Sequence, residues 1–356
     1  QAYKVLNAKD YIIYQLTGKF LTEYSDASGT HLLDLRKLEW SEEILKAAQM
    51  DERLLPGVVA STHVAGGVTK AASEATGLAQ GTPVVMGGGD GLCAGVGASC
   101  VKEGMAYTYV GSSSWISLCT KAPVFDTEQR TFNWPHIVPG KYSPCGTMQA
   151  AGGSFAWMQR ELAKFETLAA QESDENPYDR INALIESSPV GANGLIFLPY
   201  LLGERTPWWN ADARGAYVGL KMEHTRADIF RATLEGITMN LGLICDIFKD
   251  YADIDEMVTI GGGAQSSIWR QMMADIYEMP VLQPSLLEEA TSMGAAVTGG
   301  VGVGVYPDFG VVDQFLKIED RLTPNSAHTQ VYRNNQKALV AAYQGLRDVF
   351  GFLADA

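Results

Sequence analysis

Three observations predict an α/β or mixed fold. Short apolar runs alternate with helical patterns along the chain, glycines cluster where several of those runs end, and no tandem repeat or low-complexity linker interrupts the alternation. Glycine numbers 37 of 356 residues, above the average of ~7%. Its clusters are Gly87-Gly88-Gly89-Asp90-Gly91, Gly152-Gly153, Gly261-Gly262-Gly263 and the stretch from Gly299 to Gly304. Such clusters suit strand-to-helix turns, where backbone must come close to something else.

The elements follow in chain order. Asp10 to Leu16 predicts a helix stopped by Gly18, and Ser41 caps an acid-led helix from Glu42. Pro83 to Met86 predicts a buried strand entering the first cluster. Further strands are expected at Met105 to Val110, Trp115 to Cys119, Gly194 to Leu198, Ala216 to Leu220 and Met257 to Ile260. A helix is expected from Ser154 to Phe165. The longest runs from about Arg226 to Tyr251, with Thr225 and Asp228 at capping-box spacing and Ile229, Ala232, Thr233, Gly236, Ile237 and Asn240 on one stripe. A domain boundary is expected near residues 100 to 105.

Composition removes several classes. The hydrophobic share of 46% suffices for two ordinary cores, and excludes a disordered tail or fibre. Lys+Arg total 27 against Asp+Glu 41, for a formal charge of −14, with no basic segment, so a nucleic-acid partner is not expected. Nucleotide binding survives this test, because backbone N–H groups hold phosphate without cationic side chains. The five cysteines form no CxxC pair and the five histidines no HExxH, so neither a disulfide framework nor a zinc site is expected. No secretory signal pattern or long apolar span is visible, which predicts a cytoplasmic protein with no membrane partner. The start at Gln1, running straight into a helical pattern, leads us to expect missing upstream sequence.

The glycine clusters admit more than one chemistry. Gly89-Asp90-Gly91-Leu92-Cys93-Ala94 after a strand fits the GxGxxG/A dinucleotide fingerprint, yet no Asp or Glu lies between Glu103 and Asp126 to hold a ribose. A plain structural turn is the bland alternative. A carboxylate flanked by glycines at a strand end is also uncrowded, so Asp90 can take a proton from a substrate hydroxyl. Tyr109-Val110-Gly111-Ser112-Ser113-Ser114 follows, rich in N–H and hydroxyl donors, and on its own reads equally as a hairpin loop. A base near a phosphate-cradling turn suggests phosphoryl transfer to an alcohol. Elsewhere, Glu204 beside Arg205 suggests an ion pair, Trp208 and Trp209 suggest packing or an interface, and Cys93 and Met272-Met273 suggest core.

The order of these segments resembles the FGGY family of carbohydrate kinases, within it the xylulokinases most closely. The resemblance rests on Asp10 to Gly18, Asp26-Ala27-Ser28-Gly29-Thr30, Gly87-Gly88-Gly89-Asp90, Leu198 to Pro207, and Gly215-Ala216-Tyr217-Val218-Gly219-Leu220 followed by Asp228-Ile229 and Ala232-Thr233-Leu234-Glu235. It implies an actin-like ATPase (ribonuclease H-like) fold of two domains with ATP and Mg²⁺ in the cleft between them. The expected division is 1–102 and 103–356, the first domain incomplete and the final helix packing back on it. Asp90 is implied as the base. Gly111, Ser112 and Ser113 match a phosphate loop, Gly152 a glycine along the phosphates, and Gly262 and Gly263 the adenosine motif. Ser267 stands where some relatives place an asparagine against adenine. Gly91 replaces the amide side chain that often touches the sugar beside Asp90. The family's first third, with its first phosphate loop and most sugar contacts, has no counterpart here, and activity is expected to need that segment. The implied reaction is conversion of D-xylulose to D-xylulose 5-phosphate. Gluconate or another polyol is the alternative substrate, and a non-catalytic nucleotide-binding module the alternative class. A homodimer stays open.

Overall fold

The computed structural model describes residues 2–354. Its centre is a seven-stranded mixed sheet: β1 (Ala106–Val110), β2 (Ser114–Leu118), β3 (Phe132–Pro135), β4 (Tyr142–Met148), β5 (Met257–Ile260), β6 (Val281–Pro284) and β7 (Ile318–Leu322). The spatial order is β7-β6-β5-β1-β2-β4-β3. β5 runs parallel to both β1 and β6, and the remaining neighbours are antiparallel. The parallel centre places the β1 exit, which leads to Gly111, beside the β5 exit, which leads to the Gly261-Gly262-Gly263 cluster.

On one face lies the Arg226–Lys249 helix, 24 residues long and buried through most of its length. The predicted capping box is formed: Asp228 Oδ2 accepts from the Thr225 N–H at 2.7 Å and from its hydroxyl at 2.8 Å. The Ser267–Tyr277 helix packs beside it, with Met272 and Met273 in the core as expected. The final helix, Ser326–Ala354, was expected to return to the first domain. It lies instead against the Arg226–Lys249 and Ser267–Tyr277 helices and the Ile196–Leu198 strand, because its apolar residues Tyr332, Leu339, Tyr343 and Phe350 join that core.

On the other face the Asp90–Gly97 and Ala290–Gly302 helices cross almost in backbone contact. A Cβ on Gly97 would stand 1.8 Å from the Ala290 carbonyl oxygen, and one on Gly294 1.8 Å from that of Cys93. Only glycine permits this approach. Cys93 is buried at the crossing, as expected of a small filler.

The first hundred residues form smaller units. The Ala8–Thr17 helix ends at Gly18 with φ 72°, a left-handed stop. Pro83–Val85 pairs with Val64–Gly67 over a core of Ile13, Ala65, Val68, Ala72, Val84 and Met86. Strand predictions hold to within about two residues. The helix expected to continue to Phe165 stops at Leu162, and a second one, Lys164–Ser173, begins after Ala163 leaves helical geometry (φ −104°, ψ 35°). The five cysteines are all buried free thiols. No helix among the described residues is long and apolar enough to cross a membrane.

Candidate active site

Three glycine turns that are far apart in sequence meet around the end of β1. The Gly152 N–H donates to the Gly111 carbonyl at 2.9 Å, and the Gly153 N–H to the Ser112 carbonyl at 2.9 Å. A Cβ on Gly152 would lie 2.4 Å from the Gly111 oxygen, so this position needs the missing side chain, and its N–H is spent on Gly111 and not on a ligand. Gly261, with φ 86°, and Gly263 close on Val110, where a Cβ on Gly263 would meet the valine side chain at 2.3 Å. With the Gly152 and Gly153 amides engaged, no hydrogen bond within the described residues occupies the Ser112 or Ser113 amide.

The result is a cavity of about 610 Å³ lined by Gly111, Ser112, Gly152, Gly262 and Gly263. Its walls carry Phe155, which stacks on Tyr178 at 5.6 Å and tilts against Trp269 at 5.7 Å between ring centroids. Asn176, Asn182, Gln265 and Ser266 supply amide and hydroxyl edges. Backbone amides at one side and flat apolar walls with polar edges at the other suit a polyphosphate joined to a heteroaromatic base. Ser267 lies elsewhere. It lines a separate hollow with Ile268, Gln271 and His328, while its neighbour Ser266 caps the helix by accepting from the Trp269 N–H at 3.3 Å.

A second cavity, about 430 Å³, contains Asp90 and Gly91. Asp90 is the first residue of its helix, exposed, and its Oδ1 accepts from the Gly91 N–H at 2.7 Å. The turn before it is fixed from below: the Gly89 N–H donates to Ser25 Oγ at 3.1 Å, and Ser25 Oγ donates to buried Glu23 at 2.5 Å. Burial pushes the Glu23 carboxyl up from its ordinary range, against the pull of Lys9. Lys9 is itself committed, at 3.0 Å to Asp10 and 3.1 Å to Asp26. From above, the Tyr107 hydroxyl donates to the Gly91 carbonyl at 2.5 Å and accepts from Trp115 Nε1 at 2.9 Å. Burial holds the Tyr107 phenol well above its usual pKa, so it remains a neutral donor. The nearest atom to where a Gly91 Cβ would be is Trp115 Cζ2 at 3.9 Å, an ordinary contact distance, so the position has room for a side chain that glycine leaves unused.

The two cavities share one loop. Ser112 lines the first and Ser113 the second. That loop is indeed the β1–β2 hairpin, so the bland reading of its sequence and the ligand-facing one describe the same turn. The sequence reading missed Asp26, Trp134, Gln149 and Arg205 in the Asp90 cavity, and Asn176, Tyr178 and Asn182 in the other. No local spacing marks them. The expected Glu204–Arg205 ion pair is replaced by a different bond: Glu204 Oε1 accepts the Arg205 backbone N–H at 2.8 Å, and the guanidinium stays free to line the cavity. Trp208 packs as expected, stacked on Tyr343 at 4.1 Å.

A mixed-sheet core carrying glycine-turn ligand loops between two lobes is the architecture of the actin-like ATPases, and solved sugar-kinase structures share it. The model for the FGGY family of carbohydrate kinases, C-terminal domain, matches residues 106–303, and that for the N-terminal domain matches residues 1–97. The chain belongs to the FGGY family of carbohydrate kinases. It is 33% identical over 340 residues to a xylulose kinase of Staphylococcus epidermidis, covering 94% of this chain and 66% of that protein. It is 30% identical over 361 residues to a gluconokinase of Bacillus subtilis, covering 100% of this chain and 69% of that protein. The ligand-bound xylulose kinase structure from Lactobacillus acidophilus superposes with a TM-score of 0.91 at 27% identity, over 99% of this chain and 70% of that one. The chain thus spans about two thirds of the length of the curated relatives it matches.

Proposed function

We propose that this chain carries the catalytic base and nucleotide-binding half of an ATP-dependent kinase that phosphorylates a sugar hydroxyl, with D-xylulose as substrate. The observation that carries this reading is the shared loop: consecutive serines, Ser112 and Ser113, line the nucleotide-sized cavity and the Asp90 cavity respectively. A phosphoryl group moving from one cavity to the other has to pass that turn. Asp90, exposed at the start of its helix, accepts the proton of the attacking hydroxyl. Gly111, Ser112, Gly152, Gly262 and Gly263 hold the nucleotide, Ser113 meets its terminal phosphate from the Asp90 side, and Gly91 leaves room for the sugar. The division into an N-terminal unit of residues 1–102 and a C-terminal unit of residues 103–356 belongs to the same proposal, with the Asp90 cavity drawing residues from both units and the nucleotide cavity from the second alone.

Mg²⁺ accompanies ATP in such chemistry by neutralising phosphate charge. Among the described residues no group of three or more His, Cys, Asp or Glu side chains converges on one point, so the chain offers no metal cage of its own and no step is derived through the ion.

A second substrate reading has its own support. Gluconokinases match over the full chain, and Gly91 lacks the amide that often meets a ketose. Coupled ADP-release measurements with D-xylulose and with D-gluconate, made on the chain together with the upstream segment its relatives carry, separate the two. Sugar-dependent ADP release with D-xylulose at the higher kcat/KM supports the first reading, and preference for gluconate replaces it with the second. Nucleotide binding with no ADP release from any sugar or polyol overturns the kinase assignment in favour of a non-catalytic module.

A further inference from the structure

Of the residues that line the two cavities, Arg205 alone carries a positive charge. The nucleotide cavity holds no lysine, arginine or histidine, and Asp26 and Asp90 make the other one acidic. Lys9, the nearby cation, is engaged by Asp10 and Asp26. Arg205 is exposed, and its guanidinium makes no ion pair or hydrogen bond within the described residues.

The backbone beneath that side chain is tied down unusually well. Glu204 Oε1 receives the Arg205 N–H and the Gln149 N–H, each at 2.8 Å. The Thr206 N–H donates to the Thr147 carbonyl at 3.0 Å, and its hydroxyl to the Arg130 carbonyl at 2.9 Å. Trp209 Nε1 reaches the same Arg130 carbonyl at 2.9 Å, and Glu204 exchanges backbone bonds with Asn210. Arg205 is therefore bolted to the end of β4, four residues before Gly152, where the chain enters the nucleotide turns. A fixed base with an unpaired fork of N–H donors is how a protein prepares a site for an oxyanion.

We infer that Arg205 is a catalytic residue that contacts the transferring phosphoryl group. The inference rests on the kinase reading above. In the transfer, the substrate O–H gives its proton to Asp90 and its oxygen bonds to the γ-phosphorus. The bond from that phosphorus to the β,γ-bridging oxygen breaks, and ADP leaves with the electron pair. Arg205 meets the negative charge on the phosphoryl oxygens as they cross from the cavity without cations into the one with two carboxylates.

The test uses Arg205→Met and Arg205→Lys. Both sit on an exposed, unpartnered side chain, so thermal midpoints are expected to match the parent. Sugar-dependent ADP release by Arg205→Met should fall roughly 10²–10³-fold in kcat, with ADP affinity by calorimetry within about twofold. Arg205→Lys should recover only part of the loss, because a point charge lacks the planar fork. Calorimetry of ADP with fluoroaluminate and sugar gives a readout without turnover: the parent should bind the complex more tightly than ADP alone, and Arg205→Met should not. Unchanged kcat, an unchanged gain with fluoroaluminate, or a rise confined to the KM for gluconate overturns the inference, the last by making Arg205 a reader of the substrate's carboxylate. Those outcomes leave the kinase reading intact. A parent protein that carries the upstream segment and still releases no ADP with any sugar ends both.

Discussion

The two cavities are built by opposite means. The nucleotide cavity is framed by backbone: the Gly111 and Gly152 turns interlock through main-chain bonds, and missing Cβ atoms at Gly152, Gly261 and Gly263 let all three turns close up. The Asp90 cavity is framed by side chains drawn from residues 25 to 205, with Ser25, Tyr107 and the Arg205 backbone held by hydrogen-bonded neighbours. The difference teaches where each site is vulnerable. Backbone framing fails by steric intrusion, and side-chain framing fails by loss of a single functional group.

The sharpest contrast comes from Asp90→Asn. An amide cannot accept the hydroxyl proton, so sugar-dependent ADP release should drop about 10²–10⁴-fold. Because Asp90 lies outside the nucleotide cavity, ADP affinity should stay within about twofold. Equal losses in turnover and nucleotide affinity would mean that the two cavities are not separable. Retained turnover would remove Asp90 as the base.

Gly152→Val probes the other mode. The new Cβ would fall 2.4 Å from the Gly111 carbonyl oxygen, a backbone atom that cannot swing away. The two turns must separate, at a cost of about 1–3 kcal/mol in stability by analogy with overpacked sites. Nucleotide affinity should fall at least tenfold, since the Gly111–Ser112 turn moves with it. Unfolding midpoints and ADP calorimetry check both. A variant as stable as the parent, binding ADP normally, would break the claim that backbone contact shapes this cavity.

The same contrast explains what the sequence made legible. Glycine clusters are local patterns, and their physical reason, close backbone approach, is written into the residue type. Gly111, Gly152, Gly262 and Gly263 therefore came together as expected around one cavity. Asp90 stood out because glycines isolate it, and it lines the second cavity. Arg205, Gln149 and Trp134 carried no such mark, since arginine, glutamine and tryptophan serve many purposes and their convergence depends on tertiary structure. Glu204 and Arg205 were misjudged for a related reason: adjacency suggests an ion pair, but on an extended stretch neighbouring side chains diverge, and the carboxylate took the backbone N–H instead. Ser267 shows the limit of register. One position along a helix start separates Ser266, in the cavity lining, from Ser267, facing another hollow.

The smallest effect concerns the support beneath the Asp90 cavity. Glu204 is 4% exposed, and burial pushes its carboxyl up to about 8, against the N–H donors of Gln149 and Arg205 that favour the ionised form. An unfolded chain releases that proton at about 4.3. Between those values the folded protein retains a proton that the unfolded chain has given up. Its stability must therefore decline as pH rises across the window, with a slope on the order of 1 kcal/mol per pH unit from this group. Glu204→Gln has nothing to titrate and keeps a carbonyl oxygen to accept the Gln149 and Arg205 N–H bonds. Measured against the parent, the variant should gain relative stability between pH 5 and pH 8 in urea unfolding. Parallel curves for the two proteins over that range would mean that the donors, not burial, set the charge of Glu204, and that the Arg205 loop is held by an ionised carboxylate.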